Sequence, residues 1–275
     1  MKNLKEILSE YYQSHQALPA FNIDSFEIYQ AVEAVVAENK KPCIVQLSAG
    51  EDNFIQAERL FILVKKARID GLPIFLNMDH GKDLDRLYQL AELGFDMLHF
   101  DGSDLPYDEN LKIATEFIKK VKDINPNILI ELEFNKIKSS GTEILPESYT
   151  DPQQAQQFLQ NTKADLFAIS VGNLHGVSID HPEKIDFSLL KKLYQQLPNQ
   201  LFTLHGGSGI DSQQLKESLD YGITKININT DLRLQFIKST QESLSQSKTE
   251  KIYQIYRPVI EDLKTVIKEK FSCMM

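Results

Sequence analysis

Three histidines stand at the ends of short apolar segments, where side chains can take part in chemistry. They are His80, His175 and His205. Three converging imidazoles with one open coordination position form a catalytic zinc site, in which the metal polarises a carbonyl group as a Lewis acid. A histidine at the end of a strand is also a common hydrogen-bonded core residue. Residue type and spacing therefore leave both a zinc site and a packed group of histidines open.

Carboxylate and amide side chains accompany these histidines. They are Asp79, Asp101, Glu131, Glu133, Asn227 and Asn229. A carboxylate beside an imidazole either transfers protons or orients the ring through a hydrogen bond, and both roles stay open for Asp79. His99, two residues before Asp101, is expected to pack or hydrogen-bond inside the fold and not to bind a metal.

Two segments suit the binding of an oxyanion such as phosphate. They are HGGSG at 205–209 and NINTD at 227–231. Glycines leave backbone N–H groups accessible, and the positive end of a following helix favours an anion. Tight loops use the same residues, so the glycine run alone is weak evidence. The two segments become more informative together, because barrels frequently bind phosphate after strands seven and eight.

The elements that must position these side chains are short β-branched runs, each followed by a helical pattern. We predict eight strands at 20–23, 43–48, 74–80, 97–101, 128–133, 166–172, 201–207 and 225–230. Apolar residues at spacings of three and four predict helices at 25–39, 57–69, 83–93, 108–122, 151–161, 187–196 and 212–221. Four of these helices open with a capping residue: Ser25, Asp83, Asp151 and Ser212.

Strict alternation of strands and helices predicts parallel pairing, and a closed (β/α)8 TIM barrel is the α/β fold that we expect. A doubly wound open sheet is the alternative, which is disfavoured because no glycine-rich turn follows the first strand. In a barrel the carboxyl ends of all strands meet at one face, where active sites are built. The acids, imidazoles and amides named above are therefore expected to converge.

Composition narrows the class of protein. The 275 residues are interpreted as one barrel domain (1–275) with an N-terminal helix and a C-terminal helical extension at 251–271. The net charge of −9 argues against binding to nucleic acid, and no apolar run is long enough to span a membrane. Cys43 and Cys273 form no disulfide or metal-ligand pattern. With no signal-peptide pattern, these features predict a cytoplasmic protein.

At these residues the chain resembles the class II fructose-bisphosphate/tagatose-bisphosphate aldolase family. The matching segments occur in the family's order and extend over residues 19–231. They are PAFN (19–22), VQLS (45–48), DHG (79–81), DGS (101–103), PYDEN (106–110), ELE (131–133), YTDP (149–152), VGNLHG (171–176), HGGSG (205–209) and KININTD (225–231). The match is specific as an ensemble, although no single segment would suffice.

The resemblance implies a site and a reaction. His80, His175 and His205 would hold the catalytic zinc, and Asp101 and Glu133 would bind a second divalent metal. Asp79 would be the acid/base that exchanges a proton with the C4 hydroxyl. The reaction would be reversible cleavage of a phosphorylated ketose to dihydroxyacetone phosphate and glyceraldehyde 3-phosphate through a metal-stabilised enediolate. The resemblance also implies a homodimer or homotetramer.

The substrate-binding residues that the resemblance implies come from both ends of the barrel sequence. Asn22 and Ser48 would contact the substrate. The ketone fragment and its phosphate would be held by Gly176, Gly206, Gly207, Ser208, Asn227, Ile228, Asn229 and Thr230.

The sequence departs from the family pattern at several places, among them the segment at 271–275, which lacks the usual glycine-rich pattern. Asn77 replaces the first histidine of its motif, and Ile179 stands where a lysine near the phosphate is usual. The loop after Glu133 lacks its usual acidic motif, so Glu143 is the candidate for the base that removes the C3 proton. We favour fructose 1,6-bisphosphate over tagatose 1,6-bisphosphate as substrate. Another ketose phosphate, or sugar-phosphate binding without turnover, stays an alternative.

Overall fold

The computed structural model describes residues 2–137, 148–174, 176 and 184–275. Eight parallel strands close into a barrel in chain order, and β8 pairs with β1. They are β1 (Leu18–Asn22), β2 (Cys43–Leu47), β3 (Ile74–Gly81), β4 (Met97–Asp101), β5 (Leu129–Glu133), β6 (Leu166–Ile169), β7 (Leu201–Leu204) and β8 (Ile223–Ile228). The predicted (β/α)8 barrel is confirmed, and the open-sheet alternative is excluded.

Helices cover the outside of the barrel. They are α1 (Leu4–Gln13), α2 (Phe26–Asn39), α3 (Ala49–Ile55), α4 (Ala57–Ile69), α5 (Leu84–Leu93), α6 (Tyr107–Ile124), α7 (Pro152–Thr162), α8 (Phe187–Gln196), α9 (Ser212–Ser218), α10 (Thr230–Gln246) and α11 (Ile252–Met274). A 3-10 turn at Leu219–Tyr221 follows α9. Each predicted helix is present within a few residues of its expected bounds, whereas α3 and α10 were not predicted.

The caps agree with the sequence except at α9. Side chains of Ser25, Asp83 and Asp151 accept backbone N–H groups at the starts of their helices, as predicted. The prediction of Ser212 as a cap was wrong. Asp211 has the extended backbone of a capping residue, and its carboxylate accepts the N–H groups of residues 213 and 214, so that Ser212 is already helical.

Strands six and seven are shorter than predicted. They end at Ile169 and Leu204, because the next residues turn out of the ladder. Oδ1 of Asn173 accepts the Val171 N–H (2.9 Å), and Gly206 has a φ of 73°. His205 therefore lies directly after β7, and Asn229 lies directly after β8.

An apolar plug fills the amino-terminal end of the barrel. Inward-facing residues of six strands form it together with α1, which closes this end: Leu4, Ile7, Leu8, Leu18, Ala20, Ile44, Phe75, Met97, Leu129 and Leu166. Side chains alternate between the two faces of a strand, so the next inward-facing layer lies closer to the carboxyl ends. That layer is largely polar and includes Gln46, Asn77, His99, Glu131, Thr203 and Lys225, all fully buried.

Candidate active site

A cavity of about 380 Å³ opens at the carboxyl ends of the strands. Residues from several strand ends line it: Asn22, Ser48, Asp79, His80, Gly176, His205, Gly206, Ser208, Asn227, Asn229, Thr230 and Arg233. All of them except Arg233 were predicted as site residues. Gly207 and Ile228, which were also predicted, do not line the cavity. Glu143 and His175 lie outside the described residues.

Two of the predicted metal ligands converge in this cavity. Nε2 of His80 lies 2.9 Å from Nδ1 of His205, although the two residues belong to β3 and to the segment after β7. The ring centroids are 4.5 Å apart. One ligand atom from each of four residues lies within 4.8 Å of the others: Asp79, His80, His99 and His205.

Carboxylates bind the outer nitrogens of both rings. Oδ2 of Asp101 lies 3.0 Å from Nδ1 of His80, and Oε1 of Glu131 lies 2.9 Å from Nε2 of His205. A carboxylate accepts hydrogen bonds, so each outer nitrogen carries a hydrogen. In the neutral rings the lone pairs of the two inner nitrogens would therefore point at each other. A carboxylate that holds the outer N–H of a histidine in this way orients the ring for metal binding.

The protonation of the pair is set by its surroundings. Burial and the positive charge of His80 lower the pKa of His205 to about 3. Burial acts in the same direction on His80, but the carboxylates of Asp79 and Asp101 raise its pKa above the usual value. With His80 protonated, its Nε2–H can donate to the lone pair on Nδ1 of His205, which also lies 3.0 Å from Nδ2 of Asn227.

The donor set fits zinc. Imidazole nitrogens suit this ion, and a tetrahedral zinc with bonds of about 2.0–2.1 Å separates two ligand nitrogens by roughly 3.3 Å. The nitrogens of His80 and His205 are 2.9 Å apart and need only a small adjustment. His80, Asp101 and Glu133 form a second group whose ligand atoms lie within 4.8 Å of one another, which keeps the predicted second metal position open.

Asp79 lies beside this pair and is held by two amides. Nδ2 of Asn227 donates to Oδ1 of Asp79 (2.9 Å), and Nδ2 of Asn22 donates to Oδ2 (3.3 Å). Burial would raise the pKa of this carboxyl, but the neighbouring imidazoles, with His80 foremost, hold it well below its usual range. Asp79 is therefore an ionised carboxylate that can accept a proton at the floor of the cavity.

His99 is fully buried below the cavity, as expected from its phase in β4. Burial opposes its charged form, but three neighbouring carboxylates raise its pKa to about 10: Glu131, Asp79 and Glu133. The N–H of His80 donates to Nδ1 of His99 (3.1 Å), which requires a lone pair there. A backbone N–H always carries its hydrogen, so this contact is incompatible with a hydrogen on Nδ1, and we assign the neutral ring with its hydrogen on Nε2.

The backbone of the glycine run after β7 packs closely against the backbone of neighbouring segments. A Cβ at Gly206 would lie 1.8 Å from the carbonyl oxygen of Leu174, so only glycine fits there. The Gly207 N–H donates to the Asn227 carbonyl (3.1 Å) and is already used inside the fold. Gly206, Ser208 and the start of α10 at Thr230 therefore remain as the groups that can meet an anion in the cavity.

Sequence reasoning missed Arg233, which brings a cation to the cavity. It lies in the first turns of α10, where an amphipathic pattern alone gives no sign of its role. Its guanidinium contacts Oε1 of Glu51 (2.7 Å) and forms an ion pair with Asp24. Glu51 also accepts hydrogen bonds from Asn22 (2.9 Å), so this cation is tied to the predicted substrate residues. The available signal was the position of Arg233 one turn after Asn229, on the same side of the helix.

The fold and these side chains define a (β/α)8-barrel enzyme with an ionised carboxylate beside a converging pair of imidazoles. Comparison with known proteins gives the family. The sequence model described as "Fructose-bisphosphate aldolase class-II" matches residues 2–275. The chain therefore belongs to the class-II fructose-bisphosphate aldolase family, as the motifs predicted.

Individual relatives agree with this assignment. The chain is 30% identical to the fructose-bisphosphate aldolase of Mycoplasma pneumoniae over 250 residues, which are 90% of this chain and 85% of that protein. It is 30% identical to the fructose-bisphosphate aldolase of Streptococcus pneumoniae serotype 4 over 230 residues, with 82% and 78% covered.

Solved structures are similar over the whole fold. The YdjI aldolase from Escherichia coli K12 superposes with a TM-score of 0.86 at 24% identity, covering 100% of this chain and 97% of that one. Fructose-bisphosphate aldolase from Campylobacter jejuni gives a TM-score of 0.81 at 21% identity, with 98% and 93% covered. None of the helices in the described parts of the chain has the length and apolar character needed to cross a bilayer.

Proposed function

We propose that this protein is a zinc-dependent aldolase that reversibly cleaves fructose 1,6-bisphosphate to dihydroxyacetone phosphate and glyceraldehyde 3-phosphate. The observation that carries the proposal is the 2.9 Å approach of Nε2 of His80 to Nδ1 of His205, beside the ionised Asp79. Family membership supplies the reaction class. Fructose 1,6-bisphosphate is preferred over tagatose 1,6-bisphosphate because both curated relatives described above carry that name.

His80, His175 and His205 would hold the zinc. When bound, this ion supplies Lewis-acid chemistry at the ketone oxygen and stabilises the negative charge that develops after C–C cleavage. The carboxylates on the outer nitrogens of His80 and His205 fix the two rings with their inner nitrogens toward the cavity. Asp101 and Glu133 are proposed for a second divalent metal.

Asp79 performs the proton transfer in this proposal. In cleavage it takes the proton of the C4 hydroxyl as the C3–C4 bond breaks, and in condensation it returns that proton to the aldehyde oxygen. The amides of Asn22 and Asn227 hold both carboxylate oxygens and so fix the direction of transfer. Glu143 remains the proposed base for the C3 proton, a role that its sequence position alone supports.

The remaining cavity residues bind and orient the substrate. Ser208, Asn229 and Thr230 offer polar groups at the start of α10, where helix N–H groups favour a phosphate. Asn22 and Ser48 face them from the ends of β1 and β2. A cavity of about 380 Å³ lies within the range of sites for small molecules.

The proposed test is a cleavage assay of zinc-loaded protein, coupled to detection of the triose phosphate released. The panel contains fructose 1,6-bisphosphate, tagatose 1,6-bisphosphate and ketose monophosphates. We expect cleavage that a strong chelator abolishes, that Zn²⁺ restores, and that borohydride does not trap. Activity that survives in both Asp79→Ala and His205→Ala would overturn the mechanism. Binding of a bisphosphate without turnover would instead identify a sugar-phosphate-binding protein.

We also propose that the protein is a cytoplasmic homodimer. A homotetramer is the alternative assembly. An exposed apolar face supports self-association, since Phe26, Phe54 and Ile62 are 53%, 77% and 65% exposed. Glu27 and Arg59 lie beside this face, so it carries both an acid and a cation, which a self-complementary surface can pair between two copies. Light scattering after chromatography should give a dimer that Phe54→Glu dissociates and that Leu244→Glu, at an exposed site on α10, preserves.

A further inference from the structure

Asp79 and His80 are consecutive in β3, yet both side chains line the same cavity. Neighbouring residues of a regular strand point to opposite faces, so a regular β3 would direct one of them away. The structure resolves this conflict with an irregularity: the register of β3 against β4 shifts between Met78 and Gly81. His80 has a φ of 51°, in the left-handed region that non-glycine residues rarely adopt.

This irregularity takes the His80 N–H out of the regular ladder between β3 and β4. A buried N–H without a partner costs free energy, so the distortion needs a replacement acceptor. The replacement is a side chain on the neighbouring strand: Nδ1 of His99 accepts the His80 N–H at 3.1 Å. Gly81 completes the turn, because a Cβ there would lie 2.5 Å from Leu87 Cδ2 and 3.1 Å from the His99 carbonyl oxygen.

The His99 ring is itself held in place on several sides. Its ring centroid lies 4.7 Å from that of His80 and 5.2 Å from that of His205, and its Nε2 faces Oε2 of Glu133 at 3.4 Å without forming a hydrogen bond. The side chain is fully buried. A ring fixed in this way presents Nδ1 in one direction, toward the distorted backbone.

We propose that His99 is a positioning residue whose Nδ1 holds the β3 distortion and thereby directs Asp79 and His80 into one cavity. The inference deepens the proposed function, because it concerns the placement of a metal ligand and of the acid/base. It also distinguishes His99 from a fourth metal ligand. Of the two ring nitrogens of His99, Nδ1 is the one that faces Asp79. Its lone pair already accepts the backbone N–H of His80 and is therefore not free to bind a metal.

Three substitutions separate these roles. In His99→Asn the side-chain oxygen can accept a hydrogen bond near the Nδ1 position, in His99→Gln it lies near the Nε2 position, and in His99→Leu no acceptor is present. The first readout is hydrogen exchange of the His80 amide in metal-free protein, followed by NMR. The second is Co²⁺ affinity by chelator competition, with the visible spectrum of the bound ion.

We expect His99→Leu and His99→Gln to speed exchange of the His80 amide at least tenfold and to weaken Co²⁺ binding about 10–100-fold, the usual effect of losing a group that orients a metal ligand. His99→Asn should keep the exchange rate and the affinity within about threefold of the wild-type values. Thermal unfolding checks that each variant is folded, and His99→Gln replaces His99→Leu if the latter does not fold.

Slow His80 exchange in both His99→Gln and His99→Leu would overturn the proposal. So would a His99→Asn variant that exchanges as fast as His99→Leu. A changed Co²⁺ spectrum in His99→Asn would identify His99 as a ligand and reject the positioning role. Because amide exchange is measured without metal or substrate, failure of the proposed aldolase activity would leave this test valid.

Discussion

Nζ of Lys225 lies 2.9 Å from Oε2 of Glu131, and both side chains are fully buried inside the barrel. The pair joins β8 to β5 across the interior. Oε1 of the same carboxylate lies 2.9 Å from Nε2 of His205. Burial would raise the pKa of Glu131, but Lys225 and the nearby imidazoles hold it well below its usual range. The lysine thus maintains the charge that orients a proposed metal ligand.

Replacing Lys225 by methionine should destabilise the protein by about 3–5 kcal/mol, because it leaves a buried carboxylate without its cation. The double variant Lys225→Met/Glu131→Gln should recover much of this loss, since the amide can still accept from His205. Urea unfolding at pH 7 measures both. A single variant as stable as the wild type would contradict the prediction.

The same pair predicts a pH dependence. A carboxyl whose pKa is depressed in the folded protein contributes stability above its unfolded pKa, which is about 4.3 for glutamate. This contribution is lost as pH falls through the folded value, so wild-type protein should retain part of it below pH ~4. In Lys225→Met the folded pKa of Glu131 should rise, so this protein should lose less stability between pH 7 and pH ~3 and the difference from wild type should narrow. Acid unfolding curves of the two proteins, at equal ionic strength, provide the comparison.

Metal removal should lower thermal stability as well as activity. An ion that binds the native state alone raises the unfolding temperature in a concentration-dependent way. The increase on adding Zn²⁺ should disappear in His205→Ala and persist in His15→Ala, which alters an exposed histidine paired with Asp220. Because a histidine binds a metal in its neutral form and the surrounding carboxylates raise the pKa of His80, zinc affinity should rise with pH. Equal zinc stabilisation of wild type and His205→Ala would exclude this site.

Asp79→Ala should reduce kcat by about 10²–10⁴-fold, the usual range for loss of a general acid or base. Bound zinc should be retained, because the rings of His80 and His205 are oriented by Asp101 and Glu131 instead. Steady-state rates and metal content measure the two effects, with Asp104→Ala as the control at an exposed acid. Loss of zinc together with activity would assign Asp79 to ring orientation.

Much of this architecture was accessible from the sequence because barrel closure follows from strict alternation of strands and helices. Once the strands are ordered, their carboxyl ends must meet, and this alone brings His80 and His205 together. His205 lies just after β7 and not, as predicted, within it, but the two histidines still meet at the same end of the barrel. The family motifs then supplied the reaction, which residue types alone had left open.

Other features depended on relationships that sequence patterns do not encode. A left-handed backbone at His80 has no signature in a non-glycine residue, so the distortion that aligns it with Asp79 was not expected. The contact of Glu131 with His205 passes over β6 inside the barrel, so it depends on the actual curvature of the sheet. At α9, Asp211 and Ser212 are both good caps, and only backbone geometry distinguishes them.

Arg233 provides a final prediction, because it lines the cavity, whereas Arg257 is exposed on α11 and does not line it. Arg233→Met should raise KM for a bisphosphate about 10–100-fold, the effect of losing a charged hydrogen bond of about 1.5–3 kcal/mol. The change in kcat should be smaller, since Arg233 contacts neither Asp79 nor the imidazole pair. Arg257→Met is the matched control and should leave KM unchanged. A KM effect in Arg257→Met, with none in Arg233→Met, would contradict the assignment of a substrate phosphate to Arg233.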